Sequence, residues 1–298
     1  MNRHEFLSTK KKTYFLFLRY DIFTVSTQIK TNKGALQVNL RFLVLTTAML
    51  VLIGCSSDRQ SNISEGNNMN PLADGAFLLS KVTITEDGEI TELLRDQMKI
   101  YSNGKFMFAF DNESTGDMDV GAGNASWVNG VMIEEPLYNH DGPLSGLSFD
   151  ITIEPTETGF NQVLHGMKYD DGRVLETMVE EWNRAPGVVT PYDGLWKLEG
   201  RETDDPGLTE FSEIKMIGGG HFIILQSAMY QGEKIRNFGF GSLILMGSSK
   251  VLETGMVGSW ENYSDWATEV TMKMVDENHL IQSFTFNGRV ITQKYVRI

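Results

Sequence analysis

The sequence predicts an all-β protein: two tandem up-and-down antiparallel β-barrels of about eight strands each, behind a leader and a polar tether. Three observations predict it. First, the chain of 298 residues is about two ordinary domains long. Second, it holds 29 glycines against 7 prolines, with 10% aromatic residues, a mix that suits short strands and tight turns. Third, four landmarks recur at a nearly constant offset. Gly75 and Gly194 are 119 apart, Gly104 and Gly220 are 116, Gly123 and Gly241 are 118, and Asp171-Gly172-Arg173-Val174 matches Asn287-Gly288-Arg289-Val290 at 116. A fixed offset held over so much of the chain is the signature of a duplicated unit.

Taken in order, residues 1–54 read as a leader and signal segment. Phe42 to Gly54 is thirteen uncharged residues, too short to span a bilayer, and Arg41 sits on its basic flank. Leu52-Ile53-Gly54-Cys55 resembles the bacterial lipobox, which implies that Cys55, the single cysteine, carries lipid and becomes the mature N-terminus. Forty-one residues ahead of the apolar run exceed an ordinary basic region. Residues 1–37 are therefore read as seldom translated, with a start near Val38. Residues 55–71 have almost no apolar side chain and read as a flexible tether. In lipoproteins of this kind, a residue other than Asp after the cysteine implies the outer membrane, and Ser56 fits. The resemblance leaves the periplasmic and surface faces both open.

Residues 72–185 form the first expected barrel, 186–191 a linker stiffened by Pro186 and Pro191, and 192–298 the second barrel. In the second, apolar-rich runs cover roughly 194–201, 213–218, 221–228, 236–246, 249–257, 267–275, 278–286 and 289–297. Gln231-Gly232, Gly247-Ser248 and Asn287-Gly288 separate several of them, supplying the positive φ that two-residue hairpins need. With no crossover helix, closure of the meander removes its exposed edges. One segment, Glu92 to Met98, has enough helical spacing to suggest a short lid.

Gly194-Leu195-Trp196 opens the second unit, and Tyr295-Val296-Arg297 closes it. This pair resembles the lipocalin-like (calycin) families, in which the Trp plugs the closed end of the barrel and the late Arg packs across its ring. Gly75-Ala76-Phe77 with Trp182-Asn183-Arg184 is a degraded copy in the first unit. The resemblance implies barrel-closing roles for Trp196, Arg297, Phe77 and Arg184, and a protein that binds a small apolar or amphipathic molecule.

Charge excludes one class. Eight of the 26 basic residues but only two of the 39 acidic ones precede Phe42, so the body is more acidic than the chain's overall −13. Nucleic-acid binding needs clustered Lys and Arg, and no such partner is expected. No cofactor or metal is expected either: four dispersed histidines follow Cys55, and there is no His-Glu-x-x-His or Cys-x-x-Cys. Gly218-Gly219-Gly220 precedes no helix and no Lys-Ser/Thr, so it is not a phosphate loop. Gly239-Phe240-Gly241 is expected to let its strand bend.

The candidate ligand residues lie in the second unit. Alternation puts Phe222 and Ile224 on one strand face, and Phe238 is expected to line the same interior. Glu253 alternates with Val251 and Val257, and Glu135, its expected equivalent, alternates with Ile133 and Leu137. Each carboxylate therefore falls on an apolar face unless a bulge turns it outward. There it needs a partner, for which Arg236, Arg173 and Arg289 are candidates. His221 stands beside a turn in a Gly-His-Phe that resembles the same families. Trp260, Tyr263 and Trp266 crowd a polar loop and are expected to form a rim over the ligand. A packed scaffold is the competing expectation, as is an isomerase or hydrolase working through Glu253 and His221. The enzyme reading requires those two side chains to converge.

Overall fold

The computed structural model describes residues 74–112, 116–168, 174–202 and 207–298. Cys55, the leader, the tether and Arg173 lie outside the described residues. Ten strands precede the linker: β1 (Gly75–Glu86), β2 (Glu89–Leu93), β3 (Gln97–Ser102), β4 (Lys105–Asn112), β5 (Asp117–Val128), β6 (Val131–Asn139), β7 (Gly142–Pro143), β8 (Phe149–Pro155), β9 (Gly159–Lys168) and β10 (Val174–Arg184). Eight follow it: β11 (Gly194–Glu202), β12 (Leu208–Gly218), β13 (His221–Tyr230), β14 (Glu233–Leu245), β15 (Lys250–Gly258), β16 (Ala267–Met274), β17 (His279–Phe286) and β18 (Arg289–Arg297). Among the described residues, the only helical turn assigned is the 3-10 turn Tyr263–Asp265.

The fold is all-β, as expected: two closed eight-stranded antiparallel barrels in tandem. The first closes by pairing β10 with β1, with β2 and β7 as short additions. The second runs β11 to β18 in sequence order, and β11 pairs with β18. Most expected turns form where the doublets stand. Asn103-Gly104, Asn129-Gly130, Gln231-Gly232 and Asn287-Gly288 all have positive φ at both residues. Gly247-Ser248 does not form one: neither residue has positive φ, and a longer connection, Met246 to Ser249, joins β14 to β15.

One expectation is corrected. Glu92 to Met98 is not a helical lid: Glu89–Leu93 pairs with β1 as an exposed strand, and β3 begins at Gln97. Asp87-Gly88, both at positive φ, forces a hairpin there, and that local turn overrides the helical spacing.

The barrels lie side by side with their Trp196-type ends together. The hairpin Gly218-Gly219-Gly220 packs against the start of β1; a Cβ on Gly219 would stand 2.9 Å from Gly75 Cα. At the other end Arg236 of the second barrel pairs with Asp117 and Asp141 of the first. Between the two ends, the outer faces of β3–β5 and β12–β14 share one buried apolar layer. Met98, Ile100, Met107, Ala109, Val120 and Ala122 meet Ile214, Met216, Ile223, Leu225, Phe238 and Phe240. Phe238 therefore does not line the second barrel. It is the register partner of Leu225, and both point away from the inward Phe222 and Ile224.

Candidate functional site

At the closed end of the second barrel, Trp196 is fully buried and donates through Nε1 to the Tyr192 carbonyl at 2.8 Å. The Arg297 guanidinium lies 4.2 Å from the centre of its ring and donates to the Asp193 and Glu277 carbonyls. Gly194, at φ +149°, leaves the room that guanidinium occupies. The first barrel repeats the arrangement with Phe77 under Arg184 at 4.6 Å.

Above this plug each barrel holds a buried ion pair. Lys215 Nζ lies 2.6 Å from Glu253 and donates to Gln282 Oε1 at 3.0 Å, and all three side chains are buried. In the first barrel Lys99 lies 2.6 Å from Glu134 and donates to Gln162 at 2.8 Å, while Tyr101 also donates to Glu134. The equivalent of Glu253 is thus Glu134, not Glu135. Glu135 is exposed and accepts from Asn124. The strand offset is 119 at this point, and a slip of one residue exchanges the faces. The cation is also corrected. Lys215 pairs with Glu253, whereas Arg236 bridges the two barrels and Arg289 is exposed at the start of β18. The one signal that could have found the lysines is a cation at matching positions, 116 apart, inside two otherwise apolar runs.

Farther from this plug the interior of the second barrel is lined by hydrogen-bonding groups. Glu213 accepts from Tyr295 at 2.5 Å, from Gln226 at 2.6 Å and from Gln293 at 3.3 Å, and Gln282 donates to Gln293 at 2.6 Å. Burial, with Glu213 beside it, pushes the Tyr295 hydroxyl well above its usual pKa, so it stays a donor. The aromatic loop does not stand at the rim: it turns inward. Trp260 and Tyr263 are buried with ring centres 5.0 Å apart, Tyr263 stacks on Trp266 at 5.6 Å, and Trp266 meets Phe222 edge-on. Glycines make the space. A Cβ on Gly239 would stand 2.6 Å from Tyr263 Cζ and 2.7 Å from Trp260 Cζ3. In the first barrel the ring of Phe108 fills the same place over Gly121. Ile224 replaces that Phe in the second, and the loop supplies the missing volume.

Among the described residues, Gln226 Oε1, Asn237 Nδ2 and the Tyr263 hydroxyl are buried here with no hydrogen-bond partner. Gln226 and Asn237 are register partners, and Tyr263 packs on Gly239, next along the same inward face. Burial, then Glu253 and Glu213, holds the Tyr263 hydroxyl well above its usual pKa. A depression of about 420 Å³, lined by Lys250, Glu269 and Thr271 among others, involves none of Gln226, Asn237 and Tyr263.

His221 and Glu253 are not brought together. Phe222 points inward, so its neighbour His221 faces the other side of the wall, where Nδ1 lies 3.0 Å from the Gly219 carbonyl. Burial lowers the His221 pKa below 6.5. The unfolded chain therefore takes up this proton first, and the stability the neutral ring contributes is complete above pH 6.5 and lost as pH falls below it. His221→Gln is expected to flatten the fall in urea midpoint between pH 7 and 5. An unchanged slope would remove the assignment.

No family model matches the chain, and no curated protein matches it. Among solved structures, a protein of unknown function from the DUF3598 family of Nostoc punctiforme is similar over 76% of this chain and 96% of its own, at 10% identity and a TM-score of 0.24. At that level the likeness carries no argument about function.

Proposed function

We propose that this chain is a lipocalin-like binding protein, anchored through Cys55 as a lipoprotein of a bacterial outer membrane, that holds a small amphipathic molecule in the half of its second barrel farther from the plug. The observation that carries the binding is a set of buried atoms with no hydrogen-bond partner among the described residues: Gln226 Oε1, Asn237 Nδ2 and the Tyr263 hydroxyl. Buried polar atoms in native proteins are nearly always satisfied, and an unmet one costs about 1–3 kcal/mol. An acceptor and a donor side by side call for a ligand head that offers both. The rings of Trp260, Tyr263 and Trp266 and the side chains of Phe222 and Ile224 would take its apolar part. The anchoring rests on the lipobox resemblance and on the apolar run before it.

Native mass spectrometry of the full-length protein, released in mild detergent, is expected to show one bound small molecule besides the covalent lipid. Tyr263→Phe with Asn237→Leu is expected to lose it while remaining folded. Tyr263→Phe alone should stabilise the ligand-free protein by about 1 kcal/mol, because it deletes an unmet hydroxyl and keeps the ring. A wild-type protein that carries no molecule, and binds a fluorescent fatty acid no better than the double variant, would leave a packed scaffold as the account.

A further inference from the structure

The closed end of the second barrel is built from four chain reversals: the linker into β11, the β12–β13 hairpin, and the β14–β15 and β16–β17 turns. They are tied to one another. Tyr192 donates to the Ser248 and Met272 carbonyls, Leu243 to the Gly220 carbonyl, and Arg297 to the Glu277 and Asn278 carbonyls. Tips of this kind are ordinarily polar, because Gly, Asn, Asp and Ser serve the turn and face water. Here they carry Val188 and Val189 from the linker, Leu245 and Met246 from the β14 end, and Val275 after β16, all exposed. Val128, at the corresponding end of the first barrel, is exposed as well.

The chain from Cys55 reaches the body at the same end. Asp74 accepts from the Asn103 amide at 2.7 Å, and Gly75 packs on the β12–β13 hairpin beside the linker. We infer that this end is a bilayer-facing surface, whose apolar tips rest on the lipid to which Cys55 ties the chain; the inference rests on the lipoprotein reading above. Eighteen residues separate Cys55 from Asp74. Stretched at about 3.4 Å each they would reach some 60 Å, so the tether alone does not press the body to the membrane. It does hold the body at a high effective concentration near the surface, where a contact too weak to hold a free protein becomes populated. The attraction is apolar insertion, not charge. The acidic body would be repelled by anionic lipid, and the tips are interspersed with both Lys250 and Lys273 and Asp276 and Glu277. The surface therefore suits zwitterionic headgroups and should be indifferent to salt.

The test uses the lipidated full-length protein in phosphatidylcholine vesicles. Cys55 is the single cysteine and its sulfur would be blocked by the lipid, so Met246→Cys, Val275→Cys and, at the opposite end, Glu233→Cys each offer one free thiol for a polarity-sensitive dye. Lipids brominated on their acyl chains are expected to quench the dye at 246 and 275 several-fold more than at 233, unchanged by 0.5 M salt. Vesicle flotation separates the two readings. Protein that floats with equal quenching at all three sites, or more at 233, overturns the surface. Protein that does not float overturns the lipoprotein reading and the surface with it.

Discussion

Lys215→Met is expected to cost about 3–5 kcal/mol of stability, because it leaves the Glu253 carboxylate buried without its cation and Gln282 Oε1 without its donor. The loss should not reflect the lost methylenes, since Met fills nearly the same volume. Changing both partners, Lys215→Met with Glu253→Leu, should restore most of it: an apolar pair of similar size often serves as well as a buried ion pair. Urea unfolding of the two single variants and the double closes the cycle. A single-variant loss below about 1 kcal/mol would mean the pair is hydrated and idle. Lys99→Met is expected to behave likewise in the first barrel, where Glu134 and Gln162 hold the same places.

Trp196→Ala should be of similar size, about 3–5 kcal/mol, as for a large aromatic truncated in a core. Part of that loss belongs to Arg297, whose guanidinium lies 4.2 Å over the ring and tethers the Asp193 and Glu277 carbonyls. Arg297→Ala combined with Trp196→Ala should therefore cost less than the sum of the two. Strict additivity would show that the ring and the cation act separately, and would weaken the lipocalin-like reading.

The order of the strands in the second barrel, and most of their ends, can be read from the chain because several of its turns announce themselves. An exception is β12, which begins at Leu208 rather than near 213. Gln231-Gly232 and Asn287-Gly288 sit at positive φ, where few other residues fit, and the runs between them have strand length. The faces are harder. On β12 every residue from Ile214 to Gly218 is buried, the odd ones inside the barrel and the even ones against the other barrel. With both faces covered the alternation vanishes, and Lys215 reads as an interruption of an apolar run. The same covering hides the direction of Phe238. Glu135 is misread for a different reason. The turn from β14 to β15 is longer than the one from β5 to β6 and moves the offset from 118 to 119. The β-bulges between Phe240 and Gly241 and between Ala122 and Gly123 occur in both repeats and leave it unchanged. The inward turn of Trp260 and Tyr263 is invisible without knowing that Gly239 lies beneath them.

The layer between the barrels has a consequence for ancestry. Its members are the same positions of the two repeats: Met98 with Ile214, Ile100 with Met216, Met107 with Ile223, Ala109 with Leu225, Val120 with Phe238, Ala122 with Phe240. A surface that meets its own counterpart is the geometry of a two-fold homodimer, here written into one chain. A single-barrel ancestor using this face would have paired with a second copy of itself. The present halves no longer can on equal terms, because size has been divided between them. The mixed pair places the small Ala109 and Ala122 in one layer with the large Leu225, Phe238 and Phe240, an unequal pairing that the chain makes with itself.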